Sequence, residues 1–312
     1  MKKLILVSMV VMAFNAKAQQ LPLTSQYMFN DLIINPAVAG SKDDALLSLS
    51  FRKQWAGINE APISQTLSGH TYLGKGVGIG GLFINDSYGP SRITGVGAAV
   101  SYMFPTSEKT KLSFGLNPNF TQFTINRNRL ITEVSGDNAI ANATYNGLVP
   151  DMNFGVLWFN KKFHFGLTGI NLIQTKKDLF DVGSPVTSTI DRMIYVNGAY
   201  KFSVAEKFEI EPSVLFRYIP NAKSQLDANV RFIYAENYWL GFSYRTNDAA
   251  TALLGIRFNR FIFGYSYDYT LTDLATFNTG THELFLSLKL FSNKNKSPWQ
   301  KRNRIYSTNF ED

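Results

Sequence analysis

Fourteen segments of roughly ten residues each alternate apolar and polar side chains with a period of two, and this alternation restricts the fold more than anything else in the chain. They run over 46–55, 63–72, 76–86, 92–104, 110–124, 151–159, 162–173, 191–202, 206–218, 224–234, 237–246, 250–258, 261–270 and 281–291, separated by turn-type clusters. A period of two puts successive side chains on opposite faces of a strand. In the later segments the two faces differ in kind. Phe208, Ile210, Val214, Phe216 and Tyr218 oppose Glu209, Glu211, Ser213 and Arg217, and Leu226, Val230, Phe232 and Tyr234 oppose Asp227, Asn229 and Arg231. Tyr238, Leu240, Phe242 and Tyr244 oppose Ser243 and Arg245, Phe263 to Tyr269 oppose Ser266 and Asp268, and Leu284 to Leu290 oppose Glu283, Ser287 and Lys289.

A soluble sandwich alternates too, so connection length has to separate the two architectures. Turns near Leu73, Pro105, Asn160, Ala205, Ala235 and Asn259 are short, whereas the connections on the other side include the long stretches 125–150 and 174–190. Short periplasmic turns, longer outer loops and an even strand count are the marks of an outer-membrane barrel. The aromatic residues Tyr102, Phe104, Tyr200, Phe202, Tyr218 and Tyr269 fall toward segment ends, where an interfacial girdle wants amphipathic rings. The expectation is an all-β fold: a transmembrane antiparallel β-barrel of about 14 strands, of outer-membrane type.

The start of the chain fits that destination. Met1–Ala18 reads as a cleaved signal peptide, with Lys2 and Lys3 ahead of an apolar run from Leu4 to Phe14 and a small-x-small site at Ala16-Lys17-Ala18. After Gln19 no apolar run approaches the length of a membrane-spanning helix. Residues 19–45 are then a periplasmic arm or plug, with a fixed turn at Asn35-Pro36-Ala37-Val38-Ala39-Gly40; 46–291 form the barrel, and 292–312 a polar periplasmic tail anchored by Trp299.

Composition removes most chemistry. The chain has no cysteine, which excludes disulfides, thiolate zinc, iron–sulfur clusters and a thiol nucleophile. Lys+Arg 31 against Asp+Glu 23 gives a formal +8, and loss of Lys2, Lys3 and Lys17 with the leader leaves +5, scattered rather than clustered, so no nucleic-acid partner is expected. Gly76, Gly78 and Gly81 match G-x-G-x-x-G inside a strand, with no helix for a phosphate to sit on. Gly69 to Lys75 nearly spells a P-loop, but Gly76 replaces the magnesium-binding hydroxyl, so it reads as a hairpin turn. His70, His164 and His282 lack metal-ligand spacing, and no Ser lies in G-x-S-x-G. No cofactor, metal or catalytic residue is therefore expected. Glu209, Glu211, Arg217, Asp227, Arg231, Arg245, Arg257, Asp268, Glu283 and Lys289 mix signs across neighbouring strands, and the expectation is that they pair with one another in a filled interior rather than line a single-sign ion path.

Several of these residues also carry a resemblance. Gln26-Tyr27-Met28-Phe29-Asn30 followed by Ile34-Asn35-Pro36-Ala37-Val38-Ala39-Gly40 resembles the N-terminal signature of the PorP/SprF family of type IX secretion system membrane proteins. Arg52-Lys53-Gln54-Trp55-Ala56-Gly57-Ile58 with Ala61-Pro62 and Gln65-Thr66-Leu67-Ser68 looks like its first hairpin, Asn85-Asp86 with Gly89 its next, and Gly264-Tyr265-Ser266-Tyr267-Asp268 with Gly280-Thr281-His282-Glu283-Leu284 its closing strands. The resemblance covers nearly the whole mature chain, with little contributed by 105–190.

It implies a non-enzymatic outer-membrane barrel working with the type IX machinery, which serves gliding motility, in export or surface retention of a secreted, adhesin-like partner bearing a C-terminal sorting domain. Periplasmic ring and lipoprotein components and the lipids of the outer membrane are the other partners it implies. Asn35, Pro36, Gly40, Arg52, Trp55, Asp268 and Glu283 are its signature positions; with the lumenal Arg217, Arg231 and Arg245 and the tail residue Trp299 they are the candidate structural or partner-binding residues. The rival expectation is a channel or transporter for a small or apolar solute, because the outer-membrane long-chain fatty-acid transporters are the same size.

Overall fold

The computed structural model describes residues 24–42, 44–126, 129, 144–178, 187–220 and 222–292. The expected signal peptide at 1–18 and the residues beyond Ser292, Trp299 included, lie outside them. Fourteen antiparallel strands close into one barrel: β1 Asp44–Lys53, β2 Ile63–Gly74, β3 Val77–Tyr88, β4 Ser91–Pro105, β5 Lys111–Asn126, β6 Thr144–Phe159 and β7 Phe163–Ile170; β8 Met193–Tyr200, continued after a break by Phe202–Ala205; then β9 Phe208–Tyr218, β10 Gln225–Tyr234, β11 Tyr238–Arg245, β12 Ala249–Phe258, β13 Phe261–Thr270 and β14 Thr281–Ser292. Each strand pairs with its neighbours in sequence, and the ring closes where β1 meets β14, with Leu49 opposite Leu286 and Arg52 opposite Glu283. Closure leaves no open sheet edge, which a bilayer would not tolerate. Both chain ends of the barrel therefore leave on the side of the short turns.

The alternation determines which face meets lipid. On β11, Tyr238, Leu240, Phe242 and Tyr244 are each about half exposed, while Trp239, Ser243 and Arg245 between them are buried, Arg245 completely. An apolar outside around a charged inside is the inverse of a soluble protein and suits a barrel in hydrocarbon. Among the described residues no helix is long and apolar enough to cross a membrane.

The strand assignments follow the expected segments, with one informative difference in length. β5 and β6 reach Asn126 and Thr144, pairing Thr124 with Asn146 beyond the point where apolar alternation stops. About ten residues suffice to cross the hydrocarbon, so the extra pairs stand outside it, where nothing forces an apolar face. The near P-loop is a hairpin turn, as expected: Gly74, Lys75 and Gly76 all carry positive φ between β2 and β3. The outer connections contain the long interval between β7 and β8, which includes a small two-stranded ribbon, Lys176–Asp178 against Thr187–Thr189.

Candidate functional site

The lumen is occupied by the chain's own N-terminal segment. Residues 24–42 run inside the barrel and touch strands around its whole circumference. Two 3-10 turns shape the segment, Asp31–Ile33 and Pro36–Val38. The second follows from its sequence: Asn35 accepts from the Ala37 amide at 2.9 Å, and Pro36 sits at the first helical position, where its missing N–H costs nothing. The other end of the Asn35 side chain donates to the Val156 carbonyl on β6 at 3.0 Å, so one residue both starts the turn and fastens it to the wall. Ser113 on β5 donates to the Ala37 carbonyl at 2.7 Å, Ser101 on β4 to the Ala39 carbonyl at 2.6 Å, and the Gly40 amide to His70 Nδ1 on β2 at 3.2 Å.

Glycines in the wall make the fit possible. A Cβ on Gly115 would overlap the backbone of Pro36 and Ala37, and one on Gly155 would overlap the Asn35 side chain. Ala37 and Val38 pack with Tyr72, Met103, Leu157 and Phe159 toward the short-turn end, and Tyr27 and Ile34 with Ile170, Met193, Tyr195, Leu215 and Ile219 toward the other. Burial, then the Asp227 carboxylate, raises the pKa of the Tyr27 phenol and keeps it neutral.

The outer half of the lumen holds a buried ion cluster. Arg52 on β1 reaches Asp268 on β13 at 2.8 Å and Glu283 on β14 at 3.1 Å. Arg245 on β11 binds Asp227 on β10 and Asp248, each at 3.0 Å, and approaches Asp268 at 3.5 Å. The plug supplies the centre: Ser25 Oγ accepts from Arg52 at 3.0 Å and from Arg245 at 2.9 Å and donates to Asp268 at 2.8 Å, while its amide donates to Glu283 at 2.8 Å. Thr24 donates to Glu283 at 2.5 Å, and Gln26 Nε2 to its carbonyl at 3.1 Å. Two guanidinium groups and their carboxylates thus converge on one serine of the plug. A second station lies further toward the short-turn end, where Arg231 pairs with Glu211 and stacks over Phe29, 4.6 Å from its ring centroid; Phe29 in turn lies 4.8 Å from Trp239.

The structure brings Arg52, Arg245, Asp268 and Glu283 together, sets Arg231 apart from them against Phe29, and places Asn35, Pro36 and Gly40 in the plug. It does not bring Trp55 there. That residue sits in the turn after β1 at φ +48°, its amide donating to Thr281 Oγ1 at 3.1 Å. Arg217 is lumenal, but among the described residues it faces no ion-pair partner. Asp248 and the serine at the centre of the cluster were not singled out by sequence. Ser25 directly precedes the Gln26–Asn30 motif, which was the available hint. His70 and His164 face the lumen and His282 the outer rim, where Tyr265 lies 2.7 Å away; among the described residues no histidine–carboxylate group could hold a metal.

Comparison with known proteins agrees with this geometry. The family model described as type IX secretion system membrane protein PorP/SprF matches residues 16–288. Among solved structures the chain is similar to the CymD monoaromatic hydrocarbon channel at 12% identity and a TM-score of 0.51, covering 89% of this chain and 95% of that one. It is similar as well to the Pseudomonas putida toluene transporter TodX, at 10% identity and a TM-score of 0.50, covering 83% and 93%. At such identities the likeness is one of fold. No curated protein matches the chain. Family and fold together point to the outer membrane, and both are those of membrane barrels rather than enzymes.

Proposed function

The chain belongs to the PorP/SprF family of type IX secretion system membrane proteins, and from that premise we propose that it is an outer-membrane adaptor, helping to export or hold at the cell surface a partner protein bearing a C-terminal sorting domain. The observation that carries this reading is the filled lumen. A plug held at one end by a buried ion cluster and at the other by wall hydrogen bonds makes the barrel a rigid platform, and the activity is binding. Removing such a plug strips Arg52, Arg245, Asp268 and Glu283 of the hydrogen bonds that Ser25 makes to them, and a bond to a charged group contributes about 1.5–3 kcal/mol. The outer connections 127–143, between β5 and β6, and 174–190, between β7 and β8, face the client, and the tail 292–312 with Trp299 faces periplasmic ring and lipoprotein components. Residues 1–18 act as the export signal.

The test is a pull-down of the tagged protein from gently solubilised native outer membranes, with co-purifying chains identified by mass spectrometry. A large secreted protein with a C-terminal sorting domain, and periplasmic components that disappear when 292–312 is removed, are expected. The barrel recovered alone across detergents and salts, together with steady open-channel current in planar bilayers, would turn the assignment to a channel for a small or apolar solute.

A further inference from the structure

Of the lumenal arginines on β1, β9, β10 and β11, three are matched by carboxylates: Arg52, Arg231 and Arg245. Arg217 on β9 is the exception. It is only 4% exposed, and its Nε and Nη2 have no hydrogen-bond partner among the described residues. The carboxylate on the adjacent strand, Asp227, is already committed to Arg245 at 3.0 Å and to Ser243. None of the residues from Met1 to Leu23, ahead of the plug, is acidic, so the flank that precedes Thr24 has no counterion to offer. Buried guanidinium donors left unpaired among the described residues are costly, and such an arrangement calls for an explanation.

The surroundings supply it. Arg217 lines a cavity of about 70 Å³ in the lumen, between the plug and the wall. Its lining includes the side-chain amides of Asn117 and Asn153 and the apolar Ile34, Leu82 and Leu215. We infer that this is a binding site for a single carboxylate carried on an apolar body. The flat guanidinium edge matches two carboxylate oxygens, the amides add neutral donors, and the aliphatic wall takes the rest of the ligand. Charge fixes the class further. Asp227 lies close enough to act on Arg217, so a phosphate dianion meets more repulsion at the site than a carboxylate does. The volume suits a headgroup and falls well short of a pocket for a whole drug-sized molecule. Such a carboxylate belongs either to a small organic acid or to the free end of a polypeptide. The site itself does not depend on the adaptor reading.

The test is calorimetric titration of the full-length barrel in detergent micelles with four probes: benzoate, tetra-alanine with a free C-terminus, tetra-alanine amide and inorganic phosphate. At least one of the two carboxylates is expected to bind, and the amide and phosphate to bind at least tenfold more weakly. Binding of benzoate alone identifies a small-acid site; binding of the free-ended peptide identifies a chain-end site. Arg217→Gln is expected to weaken the carboxylate at least tenfold and Arg217→Lys by less, with Asn153→Ala a milder loss. Because removal of an unpaired buried charge relieves a cost, Arg217→Met is expected to keep the folded barrel and raise its unfolding temperature while abolishing binding. No heat from either carboxylate, unchanged affinity in Arg217→Gln, or phosphate bound as tightly as the acids would each overturn the assignment.

Discussion

Asp268 links both arginines of the buried cluster, taking bonds from Arg52, Ser25 and Thr251 and a longer contact from Arg245. Its charge neutralises guanidinium groups that have no access to water, so losing that charge is worse than losing one bond. Asp268→Asn keeps the shape and an acceptor but removes the one carboxylate that Arg52 and Arg245 share; the expected loss is about 3–5 kcal/mol of stability, read as a lower denaturant midpoint in micelles. A loss below about 0.5 kcal/mol, the range of an ordinary surface change, would show that the cluster does not stabilise the fold. Arg231→Met gives the contrasting case. It removes the pair with Glu211 and the cation over Phe29 and strands Glu211, and the expected cost has the same sign, but Ser25 and its partners are untouched. The two effects should therefore add when combined.

At the level of elements, the plug is a short irregular segment that stays in place because the strands around it were built to admit it. Gly115 is the sharpest example, since the plug backbone, unlike a flexible side chain, cannot swing away from an added Cβ. Gly115→Val is expected to displace residues 35–38 and open a conducting path: the native barrel stays silent in a planar bilayer, while the variant shows discrete current steps. Equal silence in both would mean that the plug can shift without leaving. The barrel strands themselves should survive, because Phe114 and Leu116 still face lipid and the β4–β5–β6 ladder is untouched.

For the molecule as a whole, orientation follows from the asymmetry of its connections. Short turns such as Gly74–Gly76 lie on the side where β1 begins and β14 ends, and the longer connections, among them Leu271–Gly280, lie opposite. The sequence contains no cysteine, so a single introduced thiol reports position cleanly. Asp273→Cys is expected to react with a membrane-impermeant maleimide on intact cells, and Glu108→Cys only after permeabilisation. The reverse pattern would invert the barrel and with it the placement of client-facing and machinery-facing ends.

The alternation alone determined the strand count, the two faces and the closure, because a period of two leaves each residue only two places to point and hydrocarbon accepts only one kind of side chain. Even Asn35-Pro36 announced its turn, since capping and the fixed φ of proline are local effects. What tertiary structure decided was who meets whom. Ser25 and Asp268 are 243 residues apart, and only the strand register around a closed ring brings them to 2.8 Å. The mixed charges of the lumen carried the general expectation that they pair. Which are left over depends on strand tilt, side-chain reach and the path of the plug, none of which has a local signature, and so Arg217, like Arg257, which donates only to the Glu236 carbonyl, looked in sequence like every other lumenal arginine.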